Sequence, residues 1–141
     1  IALGRISDLP NSVQEELRRA EEFTKENEGL KLILALSYGG RDEILDAVKR
    51  IGEEVESGIL SPGRIDKELF RDYLYRPEVP DPDLLIRTSG ELRLSNFLIW
   101  QVAYTEIWVT DTLWPDFDKT HLLAAIADYQ RRERRFGRVD E

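Results

Sequence analysis

Arg87, Arg93 and Ser95 stand close together in the stretch Asp81-Pro-Asp-Leu-Leu-Ile-Arg-Thr-Ser-Gly-Glu-Leu-Arg-Leu-Ser-Asn96. An apolar run ends in Arg87, passes through a small-residue turn, and re-enters an expected helix beside Arg93. Two guanidinium groups and a helix N-terminus would then face one crevice. Guanidinium forks pair with phosphate oxygens, and unpaired backbone N–H groups at a helix start favour negative charge. The chemistry expected of this stretch is diphosphate binding, in an enzyme that acts on a phosphorylated substrate.

Each residue also has a purely structural alternative. A cation ending a buried strand is costly unless it is paired or reaches a polar cleft, and Arg87 could satisfy itself on Glu91 or Asp83. Arg93 could be a solvated side chain and Ser95 a simple helix cap. Glu106 lies in apolar surroundings, where it could help hold a divalent cation or be a carboxylate paired with an arginine. In Ser37-Tyr-Gly-Gly-Arg41 the glycines would let backbone approach a ligand closely, which makes Gly40 and Arg41 candidate diphosphate-loop contacts. An ordinary strand-to-helix turn explains the same glycines. His121 reads as a helix-start residue.

The elements that must position these groups follow from hydrophobic periodicity. Ile1–Ile6 reads as a short strand. Ser12 and Glu15 have the spacing of a capping box, and Val13, Leu17, Ala20 and Phe23 continue a helix that Asn27-Glu-Gly29 stops. Leu30–Ser37 is apolar at nearly every position, as expected of a parallel strand buried on both faces. A second helix presents Ile44, Leu45, Val48, Ile51 and Val55, and Asp66 caps a short third one. Leu84–Ile86 and Ile107–Thr110 read as strands, with a helix between them from about Ser95 to Thr105. Asp118 caps a last helix running to about Phe136, whose end from Arg131 to Arg138 is strongly basic. That end could be a solvated helix terminus that suits the macrodipole, or it could reach a phosphate. Strands alternating with helices imply an α/β domain with a mainly parallel central sheet flanked by helices. One domain over residues 1–141 is expected, and ligands in such sheets gather at the carboxyl ends of the strands.

Composition narrows the function. The 141-residue chain is 41% hydrophobic with a formal net charge of −8, which argues against disorder and against a broad nucleic-acid surface. With no cysteine, neither a disulfide framework nor a thiolate metal site can form. No apolar run approaches the ~20 residues that span a bilayer. Ile1 opens in an apolar segment without an initiator methionine, and the plainer reading is that sequence lies upstream.

The ordered set Ser37-Tyr-Gly-Gly-Arg41, Pro80-Asp-Pro-Asp-Leu-Leu-Ile-Arg-Thr-Ser-Gly-Glu91, Arg93-Leu-Ser-Asn-Phe-Leu98, Trp100-Gln101, Tyr104-Thr-Glu106, Trp114-Pro-Asp-Phe117 and Arg132-Glu-Arg-Arg-Phe-Gly137 resembles the cis-prenyltransferases, the family of the undecaprenyl diphosphate synthases. The likeness covers the C-terminal part of a family member. It implies a cytoplasmic, homodimeric α/β enzyme that condenses isopentenyl diphosphate with an allylic prenyl diphosphate in Z geometry, touching the membrane peripherally through its lipid product. It also implies that Arg87, Arg93 and Ser95 hold the isopentenyl diphosphate and that Glu106 binds Mg²⁺. Two positions depart from the family pattern: Leu92, where some members carry a metal-side histidine, and Ser37, where an asparagine is common. The family's Asp-Gly-Asn-Gly-Arg-Trp motif, which supplies the catalytic aspartate, has no match here and is expected in a segment before Ile1. Two other readings stand beside elongation. One is a non-catalytic subunit that completes a partner's site, and the other is an unrelated phosphate-binding α/β domain. Trans-type prenyl synthases are set aside because the chain has no Asp-Asp pair.

Overall fold

Two parallel strand pairs frame the chain. β1 (Ala2–Leu3) lies against β2 (Leu34–Ala35), and β3 (Leu84–Arg87) lies against β4 (Glu106–Val109). A computed structural model of the chain describes residues 1–132. The helices are α1 (Asn11–Thr24), α2 (Gly40–Glu56), α3 (Lys67–Asp72) and α4 (Lys119–Arg131). The parallel α/β character expected from the alternation is what the chain has, although the strands pair two by two. Contacts gather into one compact unit from Ile1 to Val79 and a second from Pro80 onward.

In the first unit, the outer edge of β1 is closed by side chains. The Ala2 N–H donates to Glu21 Oε1 at 2.7 Å, and the Ala2 carbonyl accepts from Arg76 Nε and Nη2 at 3.1 and 3.0 Å. A buried peptide group must find partners, and this pair supplies them while tying α1 to the strand. Gly4 then turns the chain with φ of +126°, and a Cβ there would sit 2.2 Å from the Leu36 carbonyl oxygen. Only glycine permits that approach.

Arg5 follows, and its fork closes on Asp46 of α2 at 2.9 and 2.8 Å. Tyr75 donates its hydroxyl to the same carboxylate at 2.6 Å. Glu43, only 1% exposed, accepts from the Tyr38 hydroxyl at 2.6 Å and from the Tyr75 backbone N–H at 3.0 Å. The core-facing side of α2 is therefore Glu43, Ala47 and Ile51. Of the expected apolar face, Ile51 is buried and Ile44 and Val55 are half-buried, while Leu45 is 55% and Val48 52% exposed. Hydrogen-bonded partners let Glu43 take a core position beside Ala47 and Ile51.

Other local expectations also shift. α1 starts on Pro10, whose carbonyl accepts from Val13 N and Gln14 N at 2.9 and 3.1 Å, so no Ser12–Glu15 capping box forms. The proline's fixed φ presets the entry two residues earlier. Of Leu30–Ser37 only Leu34 and Ala35 are strand, and both are exposed, like Leu30 and Leu32. Among the described residues of the unit β2 pairs only with β1, so its faces are not covered as a doubly buried strand requires. A cavity of about 670 Å³ lies there, lined in part by Leu17, Leu30, Leu32 and Leu34. Asp66 caps α3 as expected, accepting from Leu69 N at 2.8 Å.

The second unit departs most between Ser95 and Thr105. No α-helix forms there; Ser95, Asn96 and Leu98 are all left-handed, with φ of 50°, 65° and 45°, and a short 3-10 turn spans Gln101–Tyr104. Left-handed residues cannot continue the α hydrogen-bond ladder. α4 begins as expected: Asp118 accepts from Thr120 N and His121 N, while His121 Nδ1 accepts from the Asp118 N–H at 3.3 Å. α4 ends at Arg131, and the expected extension to Phe136 with most of the basic end lies outside the described residues. Among the described residues no helix is long and apolar enough to cross a membrane.

Two consequences are measurable in the full-length protein. Arg76→Ala strips the Ala2 carbonyl of its donors and should lower unfolding stability by about 1–3 kcal/mol in a denaturant titration. The Arg5 guanidinium, with help from Tyr75, holds the Asp46 carboxyl below the usual range, while burial and the bond to Asp46 push the Tyr75 phenol up to about 12. A depressed carboxylate stabilises the fold above its unfolded pKa of ~3.9, and that stabilisation is lost as pH falls through the lower folded value. The Asp46→Asn protein should be less stable at neutral pH and show a shallower further loss in acid, read from thermal unfolding at a series of pH values.

Candidate functional site

Arg87 is the last residue of β3, opposite Val109 in the parallel register. Beyond it the chain turns through Ser89 and Gly90, both left-handed at φ of 67° and 65°. This turn hangs on the loop that follows β4. Ser89 N donates to the Thr112 carbonyl at 3.0 Å and Gly90 N to the Thr110 carbonyl at 2.8 Å. The Thr110 N–H in turn donates to the Arg87 carbonyl at 2.9 Å. Gly90 is required: a Cβ there would lie 2.6 Å from Asp111 Oδ1. Strand pairing and turn together deliver Glu91 back beside Arg87.

The Glu91 carboxylate accepts from Nη2 of Arg87 and from Nη2 of Arg93, one oxygen to each arginine. Arg87 Nη2 also reaches Ser95 Oγ at 3.4 Å. The three residues read from the sequence as an anion site thus gather around one shared carboxylate. Arg87 Nε is buried and has no hydrogen-bond partner among the described residues. Two guanidinium charges against one carboxylate leave the trio with a net positive charge. Arg93 stays largely in solvent, its side chain 66% exposed. The helix start expected beside Ser95 is absent, so attraction for an anion rests on guanidinium and hydroxyl groups and not on a helix dipole. Left-handed Ser95, Asn96 and Leu98 put unusual backbone next to these groups, as functional sites often do.

Glu91 is the residue that sequence reasoning undervalued. It figured only as one of two possible structural partners for Arg87. Its spacing was the available signal, four residues after one arginine and two before the other. Leu92 between Glu91 and Arg93 points its apolar side chain into solvent, 88% exposed, and contributes no metal ligand.

Glu106 starts β4 opposite Leu84, three register positions from the Arg87–Val109 pair, or roughly 10 Å along the strand. Its carboxylate accepts from Arg132 Nη1 at 2.8 Å. Arg132 also binds Asp128 Oδ2 at 2.7 Å and holds that carboxyl below its ordinary range. Of the two sequence alternatives for Glu106, pairing with an arginine is the one the structure displays. Among the described residues no group of His, Asp and Glu is arranged to hold a metal ion. The described residues alone therefore do not make a magnesium site.

In the first unit, Gly40 is buried at the start of α2 and Arg41 is exposed beside it. The neighbouring Arg5 is committed to Asp46 and serves the fold. His121 is likewise a capping residue, stacked on Phe117 with ring centroids 5.6 Å apart.

Comparison with known proteins identifies the family of the chain. A family profile described as putative undecaprenyl diphosphate synthase matches residues 1–137. An isoprenyl transferase of Heliobacterium mobile is 56% identical over 98% of this chain and 53% of its own length. A tritrans,polycis-undecaprenyl-diphosphate synthase (geranylgeranyl-diphosphate specific) of Thermoplasma volcanium is 50% identical over 96% of this chain and 53% of its own. The solved lavandulyl diphosphate synthase of Lavandula x intermedia, in complex with dimethylallyl diphosphate, superposes with a TM-score of 0.94 at 44% identity, over 97% of this chain and 59% of that one. The chain spans about half the length of the curated relatives it matches. With a family match over nearly every residue and relatives at half identity, the chain belongs to the undecaprenyl diphosphate synthase family of prenyltransferases.

Proposed function

We propose that this chain is the C-terminal part of a cis-prenyltransferase that condenses isopentenyl diphosphate with an allylic prenyl diphosphate, giving a polyprenyl diphosphate such as undecaprenyl diphosphate. The observation that carries this reading is the Arg87–Glu91–Arg93–Ser95 cluster at the carboxyl end of β3, in a chain of this family. In the reaction the allylic C–O bond breaks and diphosphate leaves. A bond forms from the allylic carbon to C4 of isopentenyl diphosphate, and a proton leaves C2. Arg87, Arg93 and Ser95 fix the isopentenyl diphosphate through its phosphate oxygens so that C4 stays within reach of the forming cation. Gly40 and Arg41 are secondary candidates for diphosphate contact.

The catalytic aspartate and the allylic site belong to a segment that precedes Ile1, and we take residues 1–141 as part of a single α/β domain completed by it. Prenyltransferases of this kind generally use a divalent metal, and Mg²⁺ is the ion this reading expects. Glu106 would be one carboxylate toward it, with the remaining oxygens coming from substrate and from the rest of the protein, since magnesium seldom relies on an all-protein cage. We take the protein to be a homodimer. We place the protein in the cytoplasm, with membrane contact through its lipid product.

The full-length protein given isopentenyl diphosphate, farnesyl diphosphate and Mg²⁺ should make longer polyprenyl diphosphates, and chelation of the metal should stop it. Activity that appears only after addition of a second subunit would favour the partner-subunit reading, and no elongation under any of these conditions would end the proposal. Arg93→Ala should raise KM for isopentenyl diphosphate by roughly 10- to 100-fold, matching the loss of a charge-assisted hydrogen bond of ~1.5–3 kcal/mol, and leave KM for the allylic substrate nearly unchanged in steady-state assays.

A further inference from the structure

We propose that Glu91 is a resident anion of the diphosphate site: its carboxylate occupies the guanidinium groups of Arg87 and Arg93, competes with the incoming substrate, and retakes them when the elongated product leaves. This inference rests on the reading of Arg87 and Arg93 as the isopentenyl diphosphate site. Three observations carry it. One carboxylate is shared between two arginines that lie on opposite sides of it in sequence. The turn that returns Glu91 to Arg87 is fixed by Ser89 and Gly90 hydrogen bonds to the loop after β4, so the carboxylate is delivered by the fold and is not a chance surface pairing. Arg87 Nε is buried and has no partner among the described residues, so the pairing with Glu91 leaves that guanidinium incompletely satisfied.

The chemistry gives such a competitor a use. When the allylic carbon bonds to C4 of isopentenyl diphosphate, the diphosphate of the allylic partner departs, and the diphosphate retained by the product is the one that arrived on isopentenyl diphosphate. It is therefore still bound to Arg87 and Arg93 after every condensation. It must leave them before the next isopentenyl diphosphate can bind. Two arginines with no competing anion would hold it tightly and slow that transfer. A carboxylate on the same loop lowers the affinity for every diphosphate at this site and keeps the guanidinium groups paired as the product moves off.

The test is binding of radiolabelled isopentenyl diphosphate alone to the full-length protein by equilibrium dialysis, with no allylic substrate present, followed by elongation assays. Glu91→Gln keeps the shape and removes the charge, and it should tighten binding roughly 3- to 10-fold, as loss of two partly exposed ion pairs allows. In elongation it should lower kcat and shorten the products. Glu91→Ala should also bind more tightly, which keeps the measurement decisive if either variant folds poorly. Unchanged or weaker binding in both would overturn the proposal and leave Glu91 as scaffold. Arg93→Ala separates the two levels. If it binds isopentenyl diphosphate as well as the unaltered protein does, the site assignment itself fails. If Arg93→Ala weakens binding and the Glu91 variants do not tighten it, only the role of Glu91 falls.

Discussion

A guanidinium group at the end of a half-buried strand has to meet an anion, and in the second unit everything near Arg87 is arranged by that need. The parallel register of β3 with β4 sets where the strand stops. Hydrogen bonds from the Ser89–Gly90 turn to Thr110 and Thr112 then set where the chain goes next. The consequence is Glu91 beside Arg87, with Arg93 on the carboxylate's other oxygen. Desolvating an unpaired arginine would cost several kcal/mol. The fold avoids this with a carboxylate that remains partly in solvent, which the proposed function would exchange for a phosphate. In the proposed function one loop both pairs the cation for folding and presents it for binding.

The first unit meets the same need in the opposite way. Arg5 also follows a strand, but Asp46 takes its fork from both sides and Tyr75 adds a third hydrogen bond to that carboxylate. The remaining Nη1 of Arg5 lies 3.4 Å from Asp42 Oδ1, so all three guanidinium nitrogens face carboxylates. A shared, partly solvated carboxylate leaves an arginine exchangeable, whereas a dedicated bidentate partner commits it to structure. The contrast explains why two arginines at strand ends have different fates in one chain. Arg132 belongs with Arg5: it ties α4 to β4 through Asp128 and Glu106.

Much of the fold was legible because it is local. The Asp66 and Asp118 caps, the position of His121 in the first turn of α4 and the parallel strands follow from residue type and spacing. What misled was periodicity where partners decide. The apolar stripe of α2 predicts one buried face, yet Glu43 holds the core position because Tyr38 and Tyr75 hydrogen-bond it. The Ser95–Thr105 stretch has helical spacing, yet left-handed residues at Ser95, Asn96 and Leu98 interrupt it. The Ser12–Glu15 pair spells a capping box, but Pro10 begins the helix first.

For the site, the sequence by itself determined the cast. Two arginines and a serine within one short stretch imply a diphosphate, and the ordered motifs imply the family, because guanidinium chemistry and motif order survive without coordinates. Tertiary structure decided the relationships. It gave Glu91 to both arginines, left Arg87 Nε unpartnered among the described residues, and placed Glu106 at the far end of its strand on Arg132. No spacing rule contains those facts. They depend on strand register and on the hydrogen bonds of a left-handed turn, and both are settled by residues distant in sequence.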